Sequence, residues 1–149
     1  MSLMARCGAD MSTAQEKPRP LIDDLTRPFW EAAKEQRLVI QRCQDCRYFN
    51  HPPRPVCQAC HGAALTFEPV SGRGTIYSFS VMYQPNVAGF GDELPYLNIL
   101  VELEEQPQLF LVSDLPAAHR EQVRVGGKVE VYFEAVDVEL TLPKFRLLV

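Results

Sequence analysis

Four cysteines form the strongest chemical pattern in this sequence. Two residues separate Cys43 from Cys46 and Cys57 from Cys60, and ten residues lie between the two pairs. Each Cys-x-x-Cys turn can place two thiolates on one side of a metal ion, and a hairpin that returns the second pair completes a tetrahedron at about 2.3 Å per sulfur. Soft thiolate ligands favour zinc, with iron as the chemical alternative. The spacing therefore predicts a structural Zn²⁺ site in a compact rubredoxin-like ribbon.

Two other interpretations of these residues are weaker. Redox-active cysteine pairs of the thioredoxin type need a βαβ context, which the sequence lacks. His51 and His61 lie close enough in the chain to replace a ligand, but four cysteines already suffice. Because four thiolates leave no open coordination position, the expected role of the metal is folding energy rather than catalysis. Cys7, in a polar tail, is predicted to be a spectator thiol.

Arginines cluster around the cysteines and have two interpretations. Arg42, Arg47 and Arg54 lie within or beside the predicted ribbon, and Arg73 follows it. Such residues usually keep a small module soluble. They are also candidates for a phosphate-binding face, because guanidinium groups pair with phosphate in a bidentate manner.

The sequence contains no recognisable catalytic pattern. It lacks a P-loop, a dinucleotide-binding fingerprint and a glycine-rich nucleophile elbow. We therefore predict no catalytic residues, and the chain is expected not to be an enzyme in its own right.

The elements around these residues indicate a short helix followed by strands. Residues 22–36 are predicted to be helical, with Asp23, Asp24 and Thr26 as candidate caps, Pro28 in the first turn and one apolar face. That face carries Phe29, Ala32 and Ala33. From residue 74 onward, five β-rich runs suggest a small antiparallel barrel rather than a seven-stranded sandwich. The runs are 75–83, 96–103, 109–115, 128–136 and 138–142. Phe90 is expected at an exposed loop tip, and residues 106–108 form a hairpin loop.

Charge is distributed unevenly along the 149 residues. The formal net charge is -4; residues 1–72 carry nine basic and eight acidic groups, whereas residues 73–149 carry six basic and eleven acidic groups. The predicted barrel is thus the acidic half, which argues against a general polyanion binder. No run of about 18 apolar residues and no signal-peptide pattern is present, so no membrane association and a cytoplasmic location are expected.

Several short motifs, taken in order, resemble a known family. It comprises small bacterial and archaeal proteins that join an N-terminal helical segment, a rubredoxin-like zinc ribbon and an OB-fold, and it is associated with acyl-CoA chemistry. The similarity covers residues 27–147. Besides the cysteines, it rests on Arg27-Pro28-Phe29-Trp30, Leu38-Val39-Ile40-Gln41-Arg42, Pro53-Arg54-Pro55, Gly74-Thr75-Ile76-Tyr77, Leu100-Val101-Glu102-Leu103 and Gly127-Lys128-Val129-Glu130.

The resemblance implies a mainly β chain that ends in a five-stranded OB-fold barrel. On this basis the expected divisions are a disordered tail (1–20), a helical segment (21–37), a zinc ribbon (38–72) and the OB-fold (73–149).

The resemblance also implies a function. The expected role is that of a non-catalytic accessory subunit of acyl-CoA metabolism, with a thiolase-like or MaoC-like enoyl-CoA hydratase partner and an acyl-CoA ligand. A homo-oligomer is a further expectation, since an isolated subunit can self-associate through the surface meant for its partner. The alternative is a single-stranded nucleic-acid-binding protein, in which Tyr77, Phe79 and Tyr83 stack bases.

Overall fold

The computed structural model describes residues 16–148, and within them one α-helix precedes eight antiparallel strands in two sheets. The predicted mainly β architecture is confirmed. Most of the predicted disordered tail, with Cys7, lies outside the described residues. The elements are α1 (Arg27–Lys34), β1 (Val39–Cys43), β2 (Phe49–Asn50), β3 (Leu65–Pro69), β4 (Arg73–Met82), β5 (Tyr96–Leu103), β6 (Phe110–Pro116), β7 (Lys128–Ala135) and β8 (Thr141–Leu147).

Helix α1 is shorter than the predicted segment. Before it, the N–H of Thr26 donates to Oδ1 of Asp23 (2.8 Å) and the N–H of Asp23 donates to Oγ1 of Thr26 (3.1 Å). These reciprocal bonds hold a turn where the sequence predicted helix, since Asp and Thr side chains compete for backbone N–H groups. After α1, Gln36 adopts a positive φ of 60° and ends the helical path. The predicted face, Phe29, Ala32 and Ala33, is buried.

The first sheet is a three-stranded ribbon with the order β2-β1-β3. Strand β1 pairs with both neighbours. Arg42 lies opposite Phe49 of β2, and Cys43 lies opposite Leu65 of β3. The cysteine pairs flank β2: Cys43 ends β1 and Cys46 follows it in the β1–β2 loop, whereas Cys57 and Cys60 lie between β2 and β3. Strands this short enclose little apolar volume.

The second sheet, with the order β6-β5-β4-β7-β8, forms the barrel. Its outer strands meet through side chains: the N–H of Phe145 on β8 donates to Oγ of Ser113 on β6 at 3.2 Å, and Nζ of Lys144 lies 3.1 Å from Oδ1 of Asp114. The residues of β5 that face inward are fully or almost fully buried. They are Leu97, Ile99, Val101 and Leu103.

The prediction for the last strand was wrong. Residues 138–142 were predicted as a strand, but β8 begins at Thr141. Oδ1 of Asp137 accepts the N–H of Glu139 (2.8 Å) and of Leu140 (2.9 Å), which closes a turn there and leaves Val138 94% exposed. An aspartate that bonds the backbone two and three residues ahead is a strong turn former, and here it outweighs the β propensity of valine.

Strand β4 contains a bulge. Its pairing with β5 shifts between Ile76 and Ser78, so Tyr77 is an extra residue with no partner. Opposite residues of paired strands share a face of the sheet. By its register, Phe79, opposite the buried Ile99, therefore belongs to the inner face, although its side chain is 40% exposed. The ring of Tyr77 instead lies 4.7 Å from that of Phe110, on the outer face.

Helix α1 packs against β1 of the ribbon and against β7 and β8 of the barrel, so it bridges the two sheets. No helix among residues 16–148 is long and apolar enough to span a bilayer.

Candidate metal centre and adjoining cavity

The four cysteine sulfurs converge at one end of the ribbon. All lie within 4.8 Å of one another, with 3.6 Å between the sulfurs of Cys43 and Cys60 and between those of Cys46 and Cys57. A tetrahedral zinc ion with ligands at about 2.3 Å requires sulfur–sulfur distances of about 3.8 Å. The sulfur arrangement therefore fits a four-coordinate metal ion.

The two Cys-x-x-Cys turns have the same backbone geometry. Arg47 and His61 each follow the second cysteine of a pair and adopt a left-handed φ, 67° and 64° respectively. Their N–H groups donate to the carbonyl oxygens of Cys43 and Cys57, at 3.0 and 2.9 Å. Each turn thus folds back on its first cysteine and directs both thiols to one side. Left-handed backbone favours glycine, which neither turn has at this position.

Hydrogen bonds and neighbouring thiols shift the pKa values of two of the cysteines in opposite directions. Although burial opposes the change, the N–H groups of Cys60 and Ala59 and the amide of Asn50 lower the pKa of Cys57 to about 6. The N–H of Gly62 lowers the pKa of Cys60, but the neighbouring thiols of Cys43 and Cys46 outweigh it and raise that pKa to about 12. The protein alone does not stabilise four thiolates together, and a metal cation bound there would supply the missing positive charge.

The donor set contains cysteines only in the part of the chain that the structure describes. His61 takes part in the second Cys-x-x-Cys turn through its backbone N–H, as described above. The ring of His51 points elsewhere and lies 5.4 Å from the ring of Phe29. Burial lowers the pKa of His51 to about 4, so its imidazole is neutral at pH 7.

His51 lines a cavity of 490 Å³ at the junction of helix, ribbon and barrel. Cavities of this size with mostly apolar walls and a few polar groups are typical of small-molecule sites. The polar groups include Lys144, whose Nζ lies 3.1 Å from Asp114 and 3.0 Å from Glu134. Burial opposes ionisation there, but the two carboxylates raise the pKa of Lys144 above its ordinary value. The apolar walls include Phe29, Trp30, Pro52, Phe110, Val112 and Leu142.

The structure brings two of the four candidate arginines together. Arg42 and Arg47 both pair with Glu68, each at 3.0 Å. The hydrogen bond from Arg42 lowers the pKa of Glu68. The guanidinium of Arg42 also lies 4.3 Å from the centre of the Phe49 ring. Both arginines thus share one carboxylate, which offsets only one of their two positive charges.

The other two arginines differ in their surroundings. Arg73 pairs with Glu104 on the barrel, at 3.0 Å, and lines a different cavity. Arg54 directly follows three residues of the 490 Å³ cavity wall, and among residues 16–148 no carboxylate pairs with its exposed side chain. The backbone of Arg54 is held on both sides by Gln41, with two bonds of 2.9 Å. A face built from all four arginines remains a prediction.

Sequence reasoning missed an apolar surface on the barrel. Tyr77, Leu100, Phe110 and Val112 lie on the outer face of β4, β5 and β6, and we call them the outer patch. Val112 is 72% exposed and Tyr77 is 52% exposed. Because Phe110 and Val112 also line the cavity, the patch and the cavity are continuous. A valine at a solvent-facing position of an alternating strand was the available signal.

Phe90 was predicted to be exposed, and this is wrong. The residue is half-buried, and its ring stacks on that of Tyr96 with 4.5 Å between centroids. Nζ of Lys17 lies 4.5 Å from the other side of the same ring.

Family models match most of the described chain. Residues 30–66 match the model described as "ChsH2, rubredoxin-like zinc ribbon domain", and residues 67–134 match "ChsH2, C-terminal OB-fold domain". A solved structure titled "Ltp2-ChsH2(DUF35) aldolase" contains a chain that is 38% identical, with a TM-score of 0.76; the match covers 87% of this chain and 98% of that one. The chain belongs to the ChsH2 (DUF35) family. A DUF35 protein of unknown function from Sulfolobus solfataricus, 15% identical with a TM-score of 0.56 over 72% of this chain and 77% of that one, shares the fold.

Curated relatives in this family carry the names of enzyme subunits. A Thermomonospora curvata protein named "Probable enoyl-CoA hydratase alpha subunit" is 38% identical over 87% of this chain and 40% of its own length. The Mycobacterium tuberculosis "3-oxo-4,17-pregnadiene-20-carboxyl-CoA hydratase alpha subunit" is 33% identical over 77% of this chain and 35% of its own length. The "Benzoylsuccinyl-CoA thiolase subunit BbsA" of Geobacter metallireducens is 28% identical over 71% and 62%. The chain thus spans only part of the length of each of these relatives.

Proposed function

We propose that this chain is a non-catalytic accessory subunit of acyl-CoA metabolism that binds a thiolase-like or MaoC-like hydratase partner. The observation that carries the proposal is the structural match with the ChsH2(DUF35) chain described above, which covers 98% of that chain. The name of that solved structure also includes Ltp2. The relatives named as hydratase alpha subunits and thiolase subunits support the same role.

The metal in this proposal is a structural zinc ion held by Cys43, Cys46, Cys57 and Cys60. Sulfur–sulfur distances of 3.6 Å and the two matching backbone turns support it. When bound, the ion contributes folding energy to a ribbon whose strands are too short to enclose a core. It holds the β1–β2 and β2–β3 loops together and so fixes the wall of the cavity that residues 51–53 form.

The partner surface in this proposal is the outer patch. Its exposed valine lies on β6, the outermost strand of the sheet on that side, and its exposed tyrosine lies at the bulge of β4, on the other side of β5. Exposed apolar patches mark interaction sites in soluble proteins. Because the patch leads into the 490 Å³ cavity, a partner seated there closes the cavity from outside.

The ligand in this proposal is the CoA moiety of an acyl-CoA. The apolar cavity is suited to the pantetheine arm, and Arg54 beside it is the candidate whose charge is available for a phosphate. Nucleic acid is the less favoured ligand, because the bulge at Tyr77 puts Tyr77 and Phe79 on opposite faces of β4. Tyr83 lies beyond the end of β4, so the three rings form no common stacking surface.

Co-expression tests the subunit role. The full chain is expressed with each thiolase-like and MaoC-like protein of its own host, and complexes are identified by size-exclusion chromatography. We expect a stable complex with one of them, and we expect V112E to abolish it. The matched control is V138E, since Val138 is 94% exposed on the turn before β8, outside the outer patch.

Two results would contradict the proposal. The first is no complex with any of these enzymes, combined with salt-dependent binding of a single-stranded oligonucleotide, which is the signature of phosphate contacts. The second is a complex that V112E and V138E weaken equally, which would place the partner elsewhere.

A further inference from the structure

A short N-terminal segment contacts two loops of the barrel. Nζ of Lys17 lies 2.7 Å from Oε1 of Glu93, and Nη1 of Arg19 lies 2.6 Å from Oδ2 of Asp137. Glu93 belongs to the loop between β4 and β5, and Asp137 belongs to the turn between β7 and β8. Residues 17–19 therefore connect two loops that are distant in sequence.

These two loops have a known role in OB-folds. The loop after the first barrel strand and the loop after the fourth frame the cleft in which OB-folds bind extended ligands. Here they correspond to residues 83–95 and 136–140. The N-terminal segment thus occupies the position of an OB-fold ligand.

The charge of the cleft selects the kind of ligand. Residues 83–95 and 136–140 contain four carboxylates and no lysine or arginine. They are Asp92, Glu93, Asp137 and Glu139. Such a cleft repels phosphates and attracts cations. The Arg19 guanidinium, together with the N–H groups of Glu139 and Leu140, holds the pKa of Asp137 well below its usual range, so this carboxylate is charged at neutral pH.

The backbone of the segment also fits the cleft, in addition to its charges. Lys17 and Arg19 each precede a proline, Pro18 and Pro20, which restricts both residues to extended conformations. An extended, stiff segment loses little conformational entropy when it docks. At Gly89, a Cβ atom would overlap the backbone of Lys17. The side chain of Lys17 then covers the Phe90 ring, which stacks on Tyr96.

We propose that the cleft between residues 83–95 and 136–140 is a docking groove for a basic, proline-spaced peptide, and that its occupant is this chain's own segment 17–20. The groove is closed to polyanions both by its carboxylates and by this occupant. The inference concerns a surface other than the outer patch and does not depend on the partner enzyme.

Nuclear magnetic resonance relaxation of the full chain tests the docking directly. In the wild type we expect the Arg19 amide to be as rigid as the barrel strands. In K17E/R19E we expect the amide of residue 19 to become flexible, with resonance shifts confined to the two loops. The matched control is R120E/R124E, which changes the net charge equally on exposed residues of another loop and leaves Arg19 rigid. A flexible Arg19 amide in the wild type would overturn the proposal.

A glycine pair provides an independent test of backbone proximity. Gly89 and Gly126 both have positive φ, 81° and 84°, but a Cβ at Gly126 meets no heavy atom within 4 Å. The conformational cost of alanine is therefore similar at both sites. We expect G89A to release Arg19 in the relaxation experiment and G126A to leave it rigid, whereas equal behaviour of the two variants would overturn the proposal.

Peptide binding tests the groove itself. A fluorescent peptide of residues 15–22 is added to the full-length K17E/R19E chain, and binding is followed by anisotropy at low and high salt. We expect salt-sensitive binding that is weakened about tenfold or more in the wild type, where the tethered segment competes at an effective concentration in the millimolar range. K17E/R19E combined with E93Q/D137N should not bind. Equal affinity for the wild type and K17E/R19E would overturn the assigned occupant.

Discussion

Gln106 of the barrel pairs with both backbone polar groups of Phe49 in the ribbon. Its Oε1 accepts the N–H of Phe49 at 2.9 Å, and its Nε2 donates to the carbonyl oxygen of Phe49 at 3.0 Å. The side-chain amide thus takes the place of a neighbouring strand at the free edge of β2. A single residue of the β5–β6 loop thereby fixes the ribbon relative to the barrel, and with it the walls of the cavity between them.

Replacing this amide should destabilise the protein. We expect Q106A to lower the free energy of unfolding by about 1–3 kcal/mol, because a donor and an acceptor of the partly buried Phe49 backbone lose their partners. Urea denaturation measures the loss, and amide exchange at Phe49 localises it. Q58A, on an exposed residue of the ribbon, is the control and should change stability little. Equal stability of Q106A and Q58A would show that Gln106 does not hold the ribbon.

Metal content should depend on four cysteines and not on the fifth. We expect the purified chain to contain about one zinc ion, and C57S to lose it together with the ribbon's amide protection, because a buried ligand is removed. Elemental analysis and hydrogen exchange are the measurements. C7S is the control and should keep the metal. A metal-free wild type with a fully protected ribbon would contradict the four-thiolate assignment.

His61 should be replaceable by glycine without loss of metal. Its φ of 64° is one that glycine adopts without strain, so we expect H61G to be as stable as the wild type or up to about 1 kcal/mol more stable. H61V should be less stable, because β-branched side chains disfavour this region. Thermal unfolding and zinc content are measured on both. Loss of zinc in H61G would instead make His61 a ligand.

Acid should weaken the fold through His51. Because its pKa is lowered to about 4 in the folded chain and is about 6.5 when unfolded, the unfolded chain takes up the proton first. The contribution is complete above pH 6.5 and is lost as the pH falls towards 4, by about 2 kcal/mol between pH 7.5 and pH 5. H51F should lack this part of the pH dependence. Release of metal by acid affects the wild type and H51F alike. Identical pH profiles of the two proteins would therefore rule out a contribution from His51.

The four arginines should contribute unequally to CoA binding. Changing Arg42, Arg47, Arg54 and Arg73 together to alanine is expected to weaken binding of a CoA ester, measured by calorimetry. We expect R54A alone to reproduce most of that loss, since Arg42, Arg47 and Arg73 already pair with carboxylates. R73A is the matched single control. Unchanged affinity in the fourfold variant would exclude a phosphate site among these residues.

The parts of the fold that local chemistry determines were predictable from the sequence. The Cys-x-x-Cys spacing predicted the convergence of four sulfurs, and the β-rich run at residues 96–103 predicted strand β5. What escaped prediction depends on contacts between distant residues. Phe90 reads as a loop tip until Lys17 and Tyr96 are placed on either side of it. The cavity forms only where helix, ribbon and barrel meet, and no single segment of the sequence predicts how the three are arranged.

The bulge at Tyr77 divides β4 into two halves that are out of phase. Gly74 and Ile76 face inward before it, and Phe79 faces inward after it, so the inward positions change from even to odd residue numbers. Deletion of this one residue would leave the paired residues on their present faces, because Ser78 would still oppose Leu100 and Phe79 would still oppose Ile99. Drawing Tyr77 into the ladder as a paired residue would instead turn the second half of the strand over. Ser78 and Ser80 would then point into the barrel, and Phe79 would point to solvent. A gap at this position in a related sequence would therefore mark a strand without the bulge and with the same barrel interior.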